Sequence, residues 1–208
     1  MYARFSTFAA TPTDLDTGVA FCRDDAMTAL QHVAGFIGLS LLADRTDGEC
    51  ILTSAWKTED AMHASRDLVA PIRARISDLV HAAGRANVEE YEIALMHRAH
   101  RAPPGAYVRG IWCRMDADRI EDAIDTYRMS TLASLEELAG FCSTTLFCQR
   151  ESGRCCVSIT YDSRAAFDAV RDEADELRAS TMKTLDIQLE RSGEYELAVA
   201  RFHVPELV

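Results

Sequence analysis

His63, Arg4 and Trp56 are side chains whose types together suit one piece of chemistry, taking a proton from a flat organic molecule and holding the anion that results. Imidazole is the side chain that exchanges a proton near neutral pH. A guanidinium recognises carboxylate or phenolate oxygens, and an indole offers a broad apolar face for stacking. His63 follows Trp56 by seven residues, about one turn into an expected helix, and Arg4 shares a strand face with Tyr2. His32 is a further candidate for binding, near the end of another expected helix, where an imidazolium also suits the helix dipole. Each residue has a plainer role open to it. Trp56 can be core, Arg4 can be ion-paired to an acidic neighbour, and the histidines can be solvated. His81, His97, His100 and His203 read as surface or linker residues.

The elements that must position these groups occur twice, about 105 residues apart. Tyr2-x-Arg4 returns as Tyr107-x-Arg109, Gly35-Phe36 as Gly140-Phe141, and Gly48-Glu49-Cys50 as Gly153-Arg154-Cys155. Trp56-Lys57-Thr58 returns as Tyr161-Asp162-Ser163, and Glu90-Tyr91-Glu92-Ile93-Ala94 as Glu194-Tyr195-Glu196-Leu197-Ala198. A period this long is a duplicated domain, not a solenoid unit.

Within each copy the pattern reads strand, helix, strand, strand, helix, strand. In the first, residues 2–10 alternate as a half-buried strand, and Thr11-Pro12-Thr13-Asp14 opens a helix over about 15–34. In the second, Ile120, Ile124, Tyr127, Leu132, Leu135 and Leu138 mark the helix more clearly. Gly35 and Gly140 stand where a helix end takes a left-handed residue. Hairpins follow at 36–43 with 50–57, turning at Asp47-Gly48, and at 141–149 with 154–161. Second helices are expected over 59–83 and 163–186, the first kinked or interrupted at Pro71, with closing strands at 88–97 and 193–203.

This order is the split β-α-β, or ferredoxin-like, motif. Its sheet carries helices on one face, so the other face needs a cover, and a second such sheet supplies one. The expected fold is therefore α+β, two tandem βαββαβ halves forming an intrachain pseudo-dimeric barrel. The expected division is 1–97 for the first half, a linker at 98–105 ending in Pro-Pro-Gly, and 106–208 for the second.

Composition narrows the partners. The 208 residues carry a net charge of −11, about −4 over the first 104 residues and −7 over the rest, with no basic stretch for a nucleic acid backbone. No leader pattern and no run of about 18 apolar residues is seen, so a cytoplasmic location and no membrane partner are expected. Seven cysteines without a Cys-x-x-Cys spacing read as reduced core residues, although Cys148 and Cys155 or Cys156 flank one hairpin and could face across it as a redox-responsive pair. No histidine pair with an acidic residue has metal-ligand spacing, and no glycine-rich nucleotide loop occurs; no metal and no cofactor is expected.

Gly35-Phe36-Ile37-Gly38, a strand ending in Trp56, and Thr58-Glu59-Asp60-Ala61-Met62 opening a helix together resemble the antibiotic-biosynthesis-monooxygenase-type (ABM) domain of the dimeric α+β barrel superfamily. The second copy matches more loosely, with Ser143 for the second glycine and Tyr161 for the tryptophan. The resemblance implies small cofactor-independent oxygenases that make quinones from polycyclic phenols, or haem-degrading enzymes. The haem-degrading pattern resembles an asparagine on the first strand, a tryptophan nine residues after the strand-end tryptophan and a histidine ten further on. Here the asparagine of the chain is Asn87, those places hold Ser65 and Arg75, and the second copy has Val170 and Ser180. Two functions follow as expectations: an oxygenase acting on an aromatic or polyketide-like molecule, with His63 as base and Arg4, Trp56 and His32 as binding residues, or a non-catalytic small-ligand-binding or interaction module. Haem binding without degradation, through His32, His63 or His81, is a third. The partner expected is a small hydrophobic or aromatic molecule, the chain acting as a monomeric pseudo-dimer or as a homodimer.

Overall fold

The computed structural model describes residues 1–202; His203 and the end of the expected last strand lie outside them. The fold is α+β. The strands are β1 (Tyr2–Ala9), β2 (Phe36–Ala43), β3 (Glu49–Trp56), β4 (Asn87–Arg98), β5 (Tyr107–Arg114), β6 (Phe141–Gln149), β7 (Arg154–Tyr161) and β8 (Gln188–Phe202). Their hydrogen-bonded order is a closed barrel, β1-β3-β2-β8-β5-β7-β6-β4. Two compact units make up the chain. One holds residues 1–91 together with the described chain from Tyr195 to Phe202, and the other holds Glu92–Glu194.

In the first unit, β3 is the middle strand of the β1-β3-β2 ladder, with Arg4 opposite Ser54 and Tyr2 opposite Trp56. The end of β8 extends this ladder, Val199 pairing Leu41 and Phe202 pairing Gly38. The second unit repeats the arrangement with β7 between β5 and β6, and the end of β4 extends it, Leu95 pairing Leu146.

Helices fill in behind each sheet. In the first unit these are α1 (Leu15–Phe21), α2 (Met27–Leu30), α3 (Glu59–Ala64) and α4 (Arg66–Leu79). In the second they are α5 (Ile120–Thr126), α6 (Leu132–Glu136), α7 (Arg164–Ala169) and α8 (Arg171–Leu185). The single helix expected over 15–34 is broken by a π-helical segment at Cys22–Ala26, and the second copy carries the same feature at Tyr127–Thr131, one repeat period later. An extra residue in a helical turn leaves no compositional mark, so periodicity alone could not place it. Ile120, Ile124, Tyr127, Leu132, Leu135 and Leu138 are all buried, as their spacing predicts.

Two local expectations need correction. β1 is buried on both faces, not half-buried: Ala3, Arg4, Phe5 and Ser6 are each under 5% exposed. Arg4 points toward the helices while Phe5, on the opposite face, meets the ring of Tyr91 at 5.0 Å. The second correction concerns Pro71. α4 runs through it, and the interruption falls earlier, at Ser65 between α3 and α4. The same break recurs at Val170 between α7 and α8, so it does not need the serine hydroxyl; at Ser65 that hydroxyl and the carbonyl of Met62 are taken up by a side chain from β1, described below.

Gly35 sits at φ +80 and Gly140 at φ +78, each ahead of the strand that opens its hairpin. A Cβ on Gly35 would stand 2.6 Å from the Ala61 Cβ of α3, and one on Gly140 would stand 2.7 Å from Ala166 of α7. The glycine therefore sets both the turn and the depth at which the second helix seats. Gly35→Ala combines a left-handed backbone cost of about 1–3 kcal/mol with that clash. We expect a loss of at least about 2 kcal/mol in denaturant unfolding, against only the backbone cost of about 1 kcal/mol if the helix moved away freely.

Candidate functional site

The site in the first unit begins with a helix end. α3 is capped at its start by the Thr58 hydroxyl, which accepts from Ala61 N at 3.1 Å. At its finish the chain turns out of the helix at Ser65, exposing carbonyls that need donors. Arg4 supplies them. Its Nη2 donates to Met62 O at 2.6 Å and its Nη1 to Ser65 Oγ at 3.0 Å, while Ser65 Oγ itself donates to Met62 O at 2.7 Å. A cation at a helix C-terminus is also favoured by the helix dipole.

Arg4 is 2% exposed, so its charge needs a counter-ion. Glu90, on β4, provides it: Oε1 accepts from Arg4 Nε at 2.9 Å. The other oxygen of Glu90 faces outward and meets two more groups, His63 Nε2 at 3.1 Å and Arg66 Nη2 at 3.1 Å. Burial alone would push the Glu90 carboxyl up, but the hydrogen bonds from Arg4 and Arg66 outweigh it and hold the carboxyl below its ordinary range. His63, in the last turn of α3, has a side chain 40% exposed. One imidazole nitrogen is thus tied to a braced carboxylate on a ring that solvent reaches. A base held by an orienting carboxylate is the arrangement that proton transfer requires.

The structure brings Arg4 and His63 together through Glu90. Trp56 is fully buried, its N–H donated to Ser54 Oγ at 3.1 Å and its ring edge-on to Phe36 at 5.4 Å. His32 is exposed beyond the end of α2. Glu90 was not singled out by sequence. Its signal was a charged residue repeated as Glu194 at the same place in the closing strand of each half.

The second unit resolves the same positions differently. Val170 stands where Ser65 does and has no hydroxyl, and Glu194 is occupied by Arg171 Nη2 at 3.0 Å and the Tyr107 hydroxyl at 3.4 Å. Arg109 pairs instead with Asp175 at 2.6 Å. Its Nε and Nη1, like the Tyr161 hydroxyl, are buried without a hydrogen-bond partner among the described residues. Burial pushes the Tyr161 phenol up to about 12, the Asp175 carboxylate adding to this and the Arg109 guanidinium opposing it. Asp168 takes the place of His63, so the imidazole–carboxylate contact belongs to the first copy.

All seven cysteines are buried. Cys148 and Cys155 are opposite each other on β6 and β7, with their sulfurs 3.1 Å apart.

No protein-family model matches the chain. Among curated proteins, it is 46% identical to the uncharacterized protein Rv2557 of Mycobacterium tuberculosis over 208 residues, all of this chain and 92% of that one. Among solved structures, an anthrone oxidase-like protein superposes with a TM-score of 0.71 at 13% identity, covering 99% of this chain and 94% of that one. A ferredoxin-fold protein of Listeria monocytogenes related to antibiotic biosynthesis monooxygenases gives a TM-score of 0.53 at 13% identity, covering 94% of each. At such identity these likenesses speak to fold, and the fold is of the ABM type. No helix among the described residues is long and apolar enough to cross a membrane.

Proposed function

The chain belongs to the family of the mycobacterial protein Rv2557, and on its ABM-type fold we propose that it is a cofactor-independent monooxygenase acting on an acidic aromatic or polyketide-like small molecule. The observation that carries this reading is the 3.1 Å contact between His63 Nε2 and a Glu90 carboxylate braced by Arg4 and Arg66. With one nitrogen held by the carboxylate, the other is left to accept a proton from a bound phenol or activated methylene. The imidazolium so formed is stabilised by Glu90 and in turn offsets the charge of the substrate anion. Dioxygen then takes electrons from that electron-rich anion, without a redox group from the protein. Arg4 acts in this reading as a positioning residue, holding Glu90 and the end of α3. Trp56 backs the wall behind them. Cofactor independence is part of the proposal and rests on the family resemblance.

A second reading has its own support. Trp56 has no exposed surface, and each nitrogen of Arg4 already donates to a partner within the chain. A small-ligand-binding module needs neither to turn over a substrate. Anthrone with dissolved oxygen separates the two, since its oxidation to anthraquinone consumes one dioxygen and releases one water. Quinone formation and oxygen uptake in equal amounts, above the protein-free rate, are expected for the enzyme. Binding of anthrone with no uptake above that rate supports the module instead.

A further inference from the structure

Outside that site, the second unit gathers three ligand-type side chains that the repeat does not share. His100 Nε2 lies 2.9 Å from Asp162 Oδ1, and Cys142 Sγ lies 3.3 Å from the same oxygen. All three donor atoms fall within 4.8 Å of one another. We infer that His100, Cys142 and Asp162 form a binding site for a divalent transition metal of the zinc type.

Donor geometry is the first support. Zinc takes sulfur at about 2.3 Å and imidazole or carboxylate at about 2.0–2.2 Å in a tetrahedron. The edges of that tetrahedron are then about 3.3–3.5 Å between donors. The 2.9 Å and 3.3 Å separations here need to open by about half an ångström at most, which side-chain torsions allow. One thiolate, one imidazole and one carboxylate form a borderline-soft set, which suits Zn²⁺ or Co²⁺ and not Mg²⁺ or Ca²⁺.

Preorganisation is the second. The three donors come from separate segments, and backbone hydrogen bonds lace these together. Ala99 N and His100 N both donate to Cys142 O, at 2.9 and 3.2 Å, and Asp162 N donates to Gly140 O at 2.8 Å. The side chains of His100 and Asp162 are 48% and 43% exposed, while Cys142 is fully buried beneath them. A metal seated on the thiolate would meet solvent at its fourth position, the arrangement of an open site.

The first copy cannot do this. Ile37 stands where Cys142 does, and Lys57 where Asp162 does. Two departures of the second copy from the motif of the first are themselves ligands.

The test is Co²⁺ titration of the full-length protein after chelator treatment and under reducing conditions. One Co²⁺ per chain is expected, with tetrahedral d–d bands and a thiolate-to-metal charge-transfer band in the near ultraviolet. Cys142→Ser should remove the charge-transfer band. His100→Ala changes an exposed residue and leaves the fold in place, which circular dichroism checks. It should weaken binding by at least about 100-fold, since loss of a mere supporting contact costs about 10–100-fold. Absence of Co²⁺ and Zn²⁺ binding by the wild-type chain would overturn the assignment. So would a charge-transfer band that persists at unchanged affinity in both variants, because the metal would then sit on other cysteines.

Discussion

Replacing Glu90 with leucine is expected to destabilise the protein by about 3 kcal/mol or more, within the range of about 3–5 kcal/mol for breaking a buried ion pair from one side. The cause is Arg4. At 2% exposure its guanidinium keeps Met62 O and Ser65 Oγ as partners but loses the counter-charge of Glu90, so an uncompensated cation is left inside. The Arg4→Met/Glu90→Leu double variant removes both charges and should recover much of the loss, a coupling that a double-mutant cycle measures directly. A cost below about 1 kcal/mol for Glu90→Leu would show that the pair does not brace the α3–α4 break. The same contact fixes a pH dependence. Because the folded carboxyl is held below its ordinary range, its contribution is fully present above about pH 4.3 and is lost as pH falls through the lower folded value. Glu90→Gln should flatten that acid limb of the stability profile while leaving its neutral side comparatively unchanged in slope.

Trp56→Ala should cost about 3–5 kcal/mol, the usual price of a large cavity in a core. The indole is fully buried, packs edge-on to Phe36 and satisfies Ser54. Trp56→Phe keeps most of the apolar volume but orphans the Ser54 hydroxyl, and about 1–2 kcal/mol is expected. Chemical denaturation measures both. If Trp56 instead formed an open stacking surface, Trp56→Ala would leave stability nearly unchanged and reduce anthrone binding alone.

The repeat made the architecture readable, because each half had to reproduce the same hairpin and the same left-handed glycine ahead of the second strand. β2 and β6 run from Phe36 and Phe141 as the pattern predicts. What the pattern could not carry was contact at long range. Arg4 and Glu90 are 86 residues apart, so sequence could name a need for a carboxylate without saying which one. Ser65 was visible only as the residue where a tryptophan was missing, yet its hydroxyl receives Arg4. Pro71 drew attention as a breaker, whereas the break falls at Ser65 and recurs at Val170 in the second copy, where the following helix has no proline. The burial of β1 on both faces was likewise hidden, since Arg4 and Ser6 alternate with Ala3 and Phe5 as an exposed polar face would. His100, Cys142 and Asp162 have no local spacing at all; only the fold makes them neighbours.

The most direct measurement of the central claim is kcat/KM for anthrone oxidation by wild-type and His63→Gln protein, with circular dichroism confirming that both are folded. A positioned general base contributes about 10²–10⁴-fold. The account predicts a loss of at least about 100-fold in His63→Gln. Equal rates in the two proteins, at any pH, would contradict it and remove His63 from the chemistry.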